Sequence, residues 1–188
     1  MGKDILTSLR FVLGSLLLCS VLYPAALLLF GMAVVPARAE GSLVRDESGQ
    51  IVGSRLVAQA FERPEYLWAR PSAVDYNAAG AGGSNLAPSN PALTERARAQ
   101  LVELAASESV PVPGELVAAS GSGLDPHVTL DGARYQVERI ASARGVGTSR
   151  VEDVLRRVAS VGSPWSPPLV NVLEANMALD EQLGVHTQ

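Results

Sequence analysis

FVLGSLLLCSVLYPAALLLFGMAVV, Phe11–Val35, is the stretch that decides the solvent around the N-terminal part of this chain. It sits within 27 residues, Phe11 to Ala37, that carry no charged side chain. Coiled as a helix at ~1.5 Å per residue it is about 37 Å long, enough to cross a ~30 Å hydrocarbon core with some tilt. A single helix also satisfies all of its backbone groups without a partner strand. Pro24 lies near the middle and removes one ladder bond, which predicts a kink of the kind membrane helices tolerate. A secretory signal peptide is the competing reading: Lys3 and Arg10 form a basic flank, and Ala37-Arg38-Ala39 is an A-x-A cleavage pattern. Signal cores run only about 7–15 residues, so length favours a retained anchor. A buried core helix is a third and weaker alternative. The expected fold class is a single N-terminal transmembrane helix plus one α+β (mixed α/β) soluble domain. The expected boundaries are a short cytoplasmic tail over 1–10, the transmembrane helix over 11–37 and an extracytoplasmic domain over 38–188.

Residues 38–188 hold 13 arginines, no lysine and 18 carboxylates, for a net charge of −5. An acidic domain without lysine is poorly suited to nucleic acid or an anionic membrane surface. It also lacks the lysine that a Walker-type phosphate loop requires. Cys19, the only cysteine, lies inside the span, so no intrachain disulfide forms. His127 and His186, without a second thiol, argue against structural zinc and read as solvated or capping residues. Lys3 and Arg10 before the span nearly balance Arg38 and Arg45 after it, so charge alone does not orient it. A short tail, one helix and a long C-terminal domain suit an anchor with its N-terminus inside.

Along the domain, Leu43–Arg45 and Gln50–Val52 flank Asp46-Glu47-Ser48-Gly49 and predict a hairpin. Leu56, Val57, Ala60 and Phe61 give a short helical stripe over Gly53–Phe61. Tyr76–Pro91 is a Gly- and Asn-rich loop. Asn90-Pro91 then opens a helix running to about Ser107, with Leu93, Ala97, Leu101 and Leu104 or Ala105 on its buried face. Glu115–Ser120 is β-prone. Thr129 caps a helix faced by Ala133, Val137, Ile140 and Ala141 and ended by Gly145. Ser149 to Glu152 forms a capping box for the next helix. Gly162–Pro168 is a loop, Leu169–Leu173 a strand, and Asn176–Leu183 a last short helix.

No constellation of residues assembles a catalytic site. Ser120-Gly121-Ser122-Gly123 fails as a nucleophile elbow, because serine stands at 120 where glycine is needed. Ser122, Asp125 and His127 lie too close on one loop to converge as a triad. A glycine turn between strand and helix can cradle phosphate, but here it has no basic partner. The structural reading is better: the glycines permit a sharp turn, Asp125 bonds backbone amides, and Pro126 sets the approach, with His127 following. Arg139 and Arg144 are expected to make surface or inter-subunit ion pairs. Asp75, Asp125 and Asp180 are scattered carboxylates, so no metal site is expected.

Four groups of residues then carry a resemblance. They are Arg70-Pro71-Ser72-Ala73 with Tyr76-Asn77; Gly82-Gly83-Ser84-Asn85-Leu86 before Asn90-Pro91; Ser120 to His127; and Val170-Asn171-Val172-Leu173-Glu174 before Asn176 and Ala178-Leu179-Asp180. In this order, after one N-terminal span, the chain resembles the C-subunit family of the Kdp potassium-transporting ATPase over essentially its whole length. Ala87, Ala118 and Ala175 depart from the family's usual glycine, threonine and leucine. The resemblance implies a non-catalytic accessory subunit in the bacterial cytoplasmic membrane. Its implied partners are a P-type ATPase subunit, a channel-like potassium-binding subunit and a small membrane peptide. It implies support of assembly and a raised apparent ATP affinity of the ATPase subunit, with the domain outside the membrane. If nucleotide is held directly, the resemblance assigns it to Ser120, Gly121, Ser122, Gly123 and Gln136. The lysine-free composition argues instead that ATP acts through the complex and that this chain holds no cofactor tightly. Gly83, Ser84 and Asn85, with Arg139 and Arg144, are the expected partner contacts. The alternative from another class is a free-standing, membrane-anchored extracytoplasmic enzyme or binding protein.

Overall fold

The structure, a computed structural model, describes residues 2–46, 48–107, 109–163 and 165–184. Glu47 of the expected hairpin turn, Pro164 of the expected loop and His186 lie outside them. Two units follow one another, residues 1–43 and 44–188.

The first unit is built on one helix, Gly2–Val34, long and apolar enough to cross a membrane. It comprises α1 (Gly2–Leu16), a π-helical turn (Leu17–Leu22) and α2 (Tyr23–Val34), followed by the short α3 (Pro36–Ala39). The helix starts nine residues before the uncharged stretch, so Lys3, Asp4 and Arg10 lie on α1. Just before Pro24, where the sequence predicts a kink, the ladder widens into the π turn. The Tyr23 N–H reaches back five residues to the Leu18 carbonyl, and the wider turn accommodates a ring that brings no donor.

A two-stranded sheet, β1 (Leu43–Arg45) and β2 (Ile51–Ser54), starts at the boundary residue Leu43 and otherwise belongs to the second unit. Asp46 organises its turn: Oδ1 accepts from the Ser48 amide and hydroxyl and from the Gln50 amide. The helix expected over Gly53–Phe61 is absent. Ser54 Oγ takes the Leu56 amide, and the Ala58 amide donates to the Leu124 carbonyl, so tertiary partners replace a helical ladder. The expected loop precedes α4 (Pro91–Glu103), which Asn90 caps as predicted at 3.0 Å to the Ala92 amide. The face expected to be buried is not: no residue of α4 is buried. The strand expected over Glu115–Ser120 is a 3-10 turn, Gly114–Leu116, closed by the Leu116 amide on the Pro113 carbonyl.

A second sheet pairs β3 (His127–Thr129) antiparallel with β4 (Leu169–Asn171), Val128 opposite Val170. Around it pack α5 (Leu130–Tyr135), α6 (Val137–Arg144), α7 (Thr148–Val158) and α8 (Val172–Leu183). Thr129 caps α5 through the Gly132 amide, and Gly145 ends α6 at φ 63°, both as the sequence predicts. The single helix expected between them breaks at Gln136. The capping box is not used either: Gly147 is the N-cap of α7, and Glu152 turns to Arg134 and Arg156. The last strand stops at Asn171, whose side chain accepts the Glu174 amide and starts α8 earlier than expected. Val128, Ala133, Ile140, Val151, Leu155, Val170 and Leu179 form the dry centre of this unit.

Candidate functional site

The Ser120–His127 turn gathers distant segments of the chain. The Ser120 amide donates to the Pro71 carbonyl, the Gly82 amide to the Ser122 carbonyl at 2.8 Å, and the Ser72 hydroxyl to the Gly123 carbonyl at 2.7 Å. The Val172 amide reaches the Pro126 carbonyl. Gly123 sits at φ 68°, where a Cβ would lie 2.5 Å from Val74 Cγ2 and 2.7 Å from the Gly82 carbonyl oxygen. Glycine is therefore required there by both conformation and space. Gly83 is required by space alone, its virtual Cβ 2.8 Å from the Gly121 carbonyl oxygen. Asp125 bonds the His127 amide at 3.0 Å and accepts from Arg70 Nη1 at 3.1 Å. Ser122 Oγ accepts from the Leu124 amide, and Ser120 Oγ is buried without a partner. The Gly82–Gly83 loop and the glycine–aspartate turn, distant in sequence, thus form one hub, with backbone groups facing each other.

Gln136 belongs to a different construction. Its Oε1 accepts the Trp68 amide at 2.9 Å and Arg139 Nη2 at 2.6 Å, while Nε2 donates to the Trp68 carbonyl at 3.1 Å. One residue earlier Asn176 does the same: Oδ1 accepts the Leu67 amide at 2.7 Å, and Nδ2 donates to the Leu67 carbonyl at 2.9 Å. Two buried amides therefore grip both backbone groups of two consecutive residues, standing in for the strand that Leu67-Trp68 lacks. Arg139 stacks 3.6 Å from the centre of the Trp68 ring and donates to the Pro64 and Tyr66 carbonyls. Burial pulls its guanidinium down to about 10, with Glu103 opposing the shift.

Arg144 corrects the expectation of a surface or inter-subunit pair. Its side chain is fully enclosed, bonding Asp180 Oδ1 at 2.7 Å and the carbonyls of Glu65, Leu179 and Gly184. The Tyr66 hydroxyl donates to the other oxygen of Asp180. Burial, then the Asp180 charge, raises the Tyr66 phenol above its ordinary value.

The residues assigned to nucleotide are divided by the cavity beside Gln136. Gln136 borders a cavity of about 230 Å³ with Trp68, Tyr76, Arg96, Glu62 and Glu103, whereas the Ser120–Gly123 turn does not line it. Burial and then the carboxylates of Glu103 and Glu62 raise the Tyr76 phenol. Asp75, Asp125 and Asp180 stay apart, and among the described residues no three metal-ligating side chains cluster. Sequence reading missed Trp68, Tyr66 and the pairing role of Asn176. The one available signal was an amide at 176 between Leu173 and Leu179 on an apolar helix face.

Fold and site together define a chain with one membrane-length apolar helix and one α+β unit knitted by polar hubs. Its sequence matches the family described as "K+-transporting ATPase, c chain" over residues 5–181. The Potassium-transporting ATPase KdpC subunit of Parvibaculum lavamentivorans is 44% identical over 180 residues, covering 95% of this chain and 96% of the relative. That of Burkholderia mallei is 46% identical over 175 residues, covering 87% and 89%. The Burkholderia orbicola protein is 44% identical over 176, with the same coverage. The chain belongs to the KdpC family of potassium-transporting ATPase subunits.

Proposed function

We propose that this chain is the anchored, non-catalytic accessory subunit of an ATP-driven potassium uptake complex. It joins a P-type ATPase subunit, a channel-like potassium-binding subunit and a small membrane peptide, supports their assembly, and raises the ATPase subunit's apparent ATP affinity. The domain over 38–188 lies outside the cytoplasmic membrane, with the tail over 1–10 inside and the span over 11–37 between them. Gly83, Ser84 and Asn85 and the partly buried Arg139 serve as partner contacts, while Arg144 acts within the fold.

The nucleotide effect is indirect in this reading. The observation that carries it is the engagement of Gln136: both heteroatoms of its amide are committed to Trp68, and Oε1 also takes Arg139. No lysine is at hand, and a polyanion meets a domain with a net charge of −5 over residues 38–188. ATP then acts by biasing a conformational equilibrium of the partner, with a coupling of ~1–3 kcal/mol. Calorimetry of the full chain in detergent is expected to show no ATP hydrolysis and no saturable binding below millimolar concentration. Micromolar binding that vanishes in Gln136→Ala, with the variant still folded, would restore a direct nucleotide site. Co-purification from detergent separates this reading from a free-standing anchored enzyme: an accessory subunit brings larger membrane subunits with it.

A further inference from the structure

A groove of about 1030 Å³ opens in the second unit between the β1–β2 hairpin and α8. Its floor is apolar and aromatic: Val52, Phe61, Tyr66, Leu173 and Met177. Its polar border is a set of acceptors: Asp46, Asp180, Glu181 and Gln59. Asp180 is matched internally by Arg144. Among the described residues no cation pairs with Asp46 or Glu181, although both are exposed on the rim. Asp46 is held ionised, its carboxyl lowered first by the Ser48 hydroxyl and then by the Gln50 amide. Gln59 Oε1 is buried with no donor, while its Nε2 is spent on the Val52 carbonyl. Among the described residues the one cation lining the groove, Arg45, donates to the Gly49 carbonyl.

The exposed carboxylates of Asp46 and Glu181 thus ask for N–H donors carrying positive charge, and the floor for aliphatic surface. Lysine and arginine supply both, laying a methylene stem on aromatic and aliphatic walls while the head meets carboxylates. The volume is at the upper end of the ~300–1,000 Å³ typical of small-molecule pockets, so it suits several side chains of one segment. We propose that this groove seats a lysine- or arginine-bearing, apolar-flanked segment of a partner protein. The proposal rests on the accessory-subunit reading and adds which face of the domain does the docking. Charge complementarity with an acidic rim steers such a segment and fixes its register.

The test places a photo-crosslinking benzoylphenylalanine at Met177 of the full chain, produced together with its cognate pump subunits and irradiated in the purified complex. The expected product joins position 177 to a segment of another subunit that contains lysine or arginine. Its yield falls severalfold with Glu181→Lys, and also with Asp46→Asn, which removes the charge but keeps the Oδ1 acceptor of the hairpin turn, while the complex still co-purifies. An intact complex that gives no crosslink, a crosslink to a segment without lysine or arginine, or a yield indifferent to both substitutions overturns the groove assignment alone. If the unsubstituted chain brings down no other subunit, the accessory reading fails and the groove assignment fails with it.

Discussion

Gln136 is 2% exposed, and its partner Trp68 lies 68 residues back in the chain. Gln136→Ala strips donor and acceptor from a half-buried backbone and removes the carbonyl that positions Arg139. At roughly 1–3 kcal/mol for each group left unsatisfied, the variant should lose about 2–4 kcal/mol, read as an earlier thermal or urea transition. An unchanged transition would mean the amide is not a clamp. Glu152 gives a pH-dependent case. Hydrogen bonding from Arg156 first, then its charge, and then Arg134, lower the Glu152 carboxyl below its unfolded value of 4.5. A depressed acid stabilises the fold above the unfolded value, and that contribution is lost as pH falls through the lower folded value. Glu152→Gln should therefore narrow the gap in urea midpoint between about pH 7 and about pH 3, by a small amount that added salt reduces, because the site is exposed. These two residues also show what a sequence reveals. Thr129, Asn90 and Gly145 were legible because a cap acts on its own turn. The roles of Gln136, Asn176 and Arg144 were not, because their backbone partners stand 68, 109 and 79 residues away.

At the scale of elements the same division holds. Helices α6 and α7 lie where periodicity placed them, while α4 opens at its predicted cap but ends at Glu103 instead of near Ser107. The strand expected at Glu115–Ser120 and the helix at Gly53–Phe61 failed because their backbone groups and side chains serve neighbours. Glu115, for example, turns its carboxylate to the Thr129 amide at 2.9 Å and hydroxyl at 2.6 Å. Helix α4 is the clearest difference: it carries its cap, yet Val102 is 81% and Leu101 37% exposed. A helix with no buried residue has little tertiary packing to hold it, so its amides should exchange with deuterium sooner than those of α6, α7 and α8. Asn90→Ala, worth about 1 kcal/mol at an N-cap, should accelerate that exchange further and leave the global transition nearly in place. Equal protection of α4 and α7 in the full chain would contradict this. At the other extreme, the glycine–aspartate hub joins loops through Gly83, expected as a partner contact, and Gly123, expected only to give freedom to turn. The close approach of Val74 and of the Gly82 and Gly121 carbonyls is what makes them irreplaceable.

For the whole molecule the solvent was the most legible property and the orientation the least. Phe11 is 77% and Leu29 68% exposed, and no residue described between Gly2 and Ala39 is buried. Each such side chain forfeits roughly 1.5–3 kcal/mol if left in water, so a run of them requires lipid or protein around it. A signal peptide would resolve the same problem by removal, and Ala37-Arg38-Ala39 lies within the short α3, where a protease would have to act on a helical turn. We therefore expect the purified membrane form to retain its N-terminus, its intact mass including the span; a mature chain beginning at Glu40 would replace the anchor by a leader. Orientation needs a separate measurement, because Lys3 and Arg10 on one side nearly cancel Arg38 and Arg45 on the other. A reporter enzyme that works only outside the cytoplasm, fused after Gln188, should be active, and one that works only inside should be silent. The reverse pattern, with the span retained, would put the acidic domain on the ATP side of the membrane, and the indirect account of nucleotide would lose its topological support.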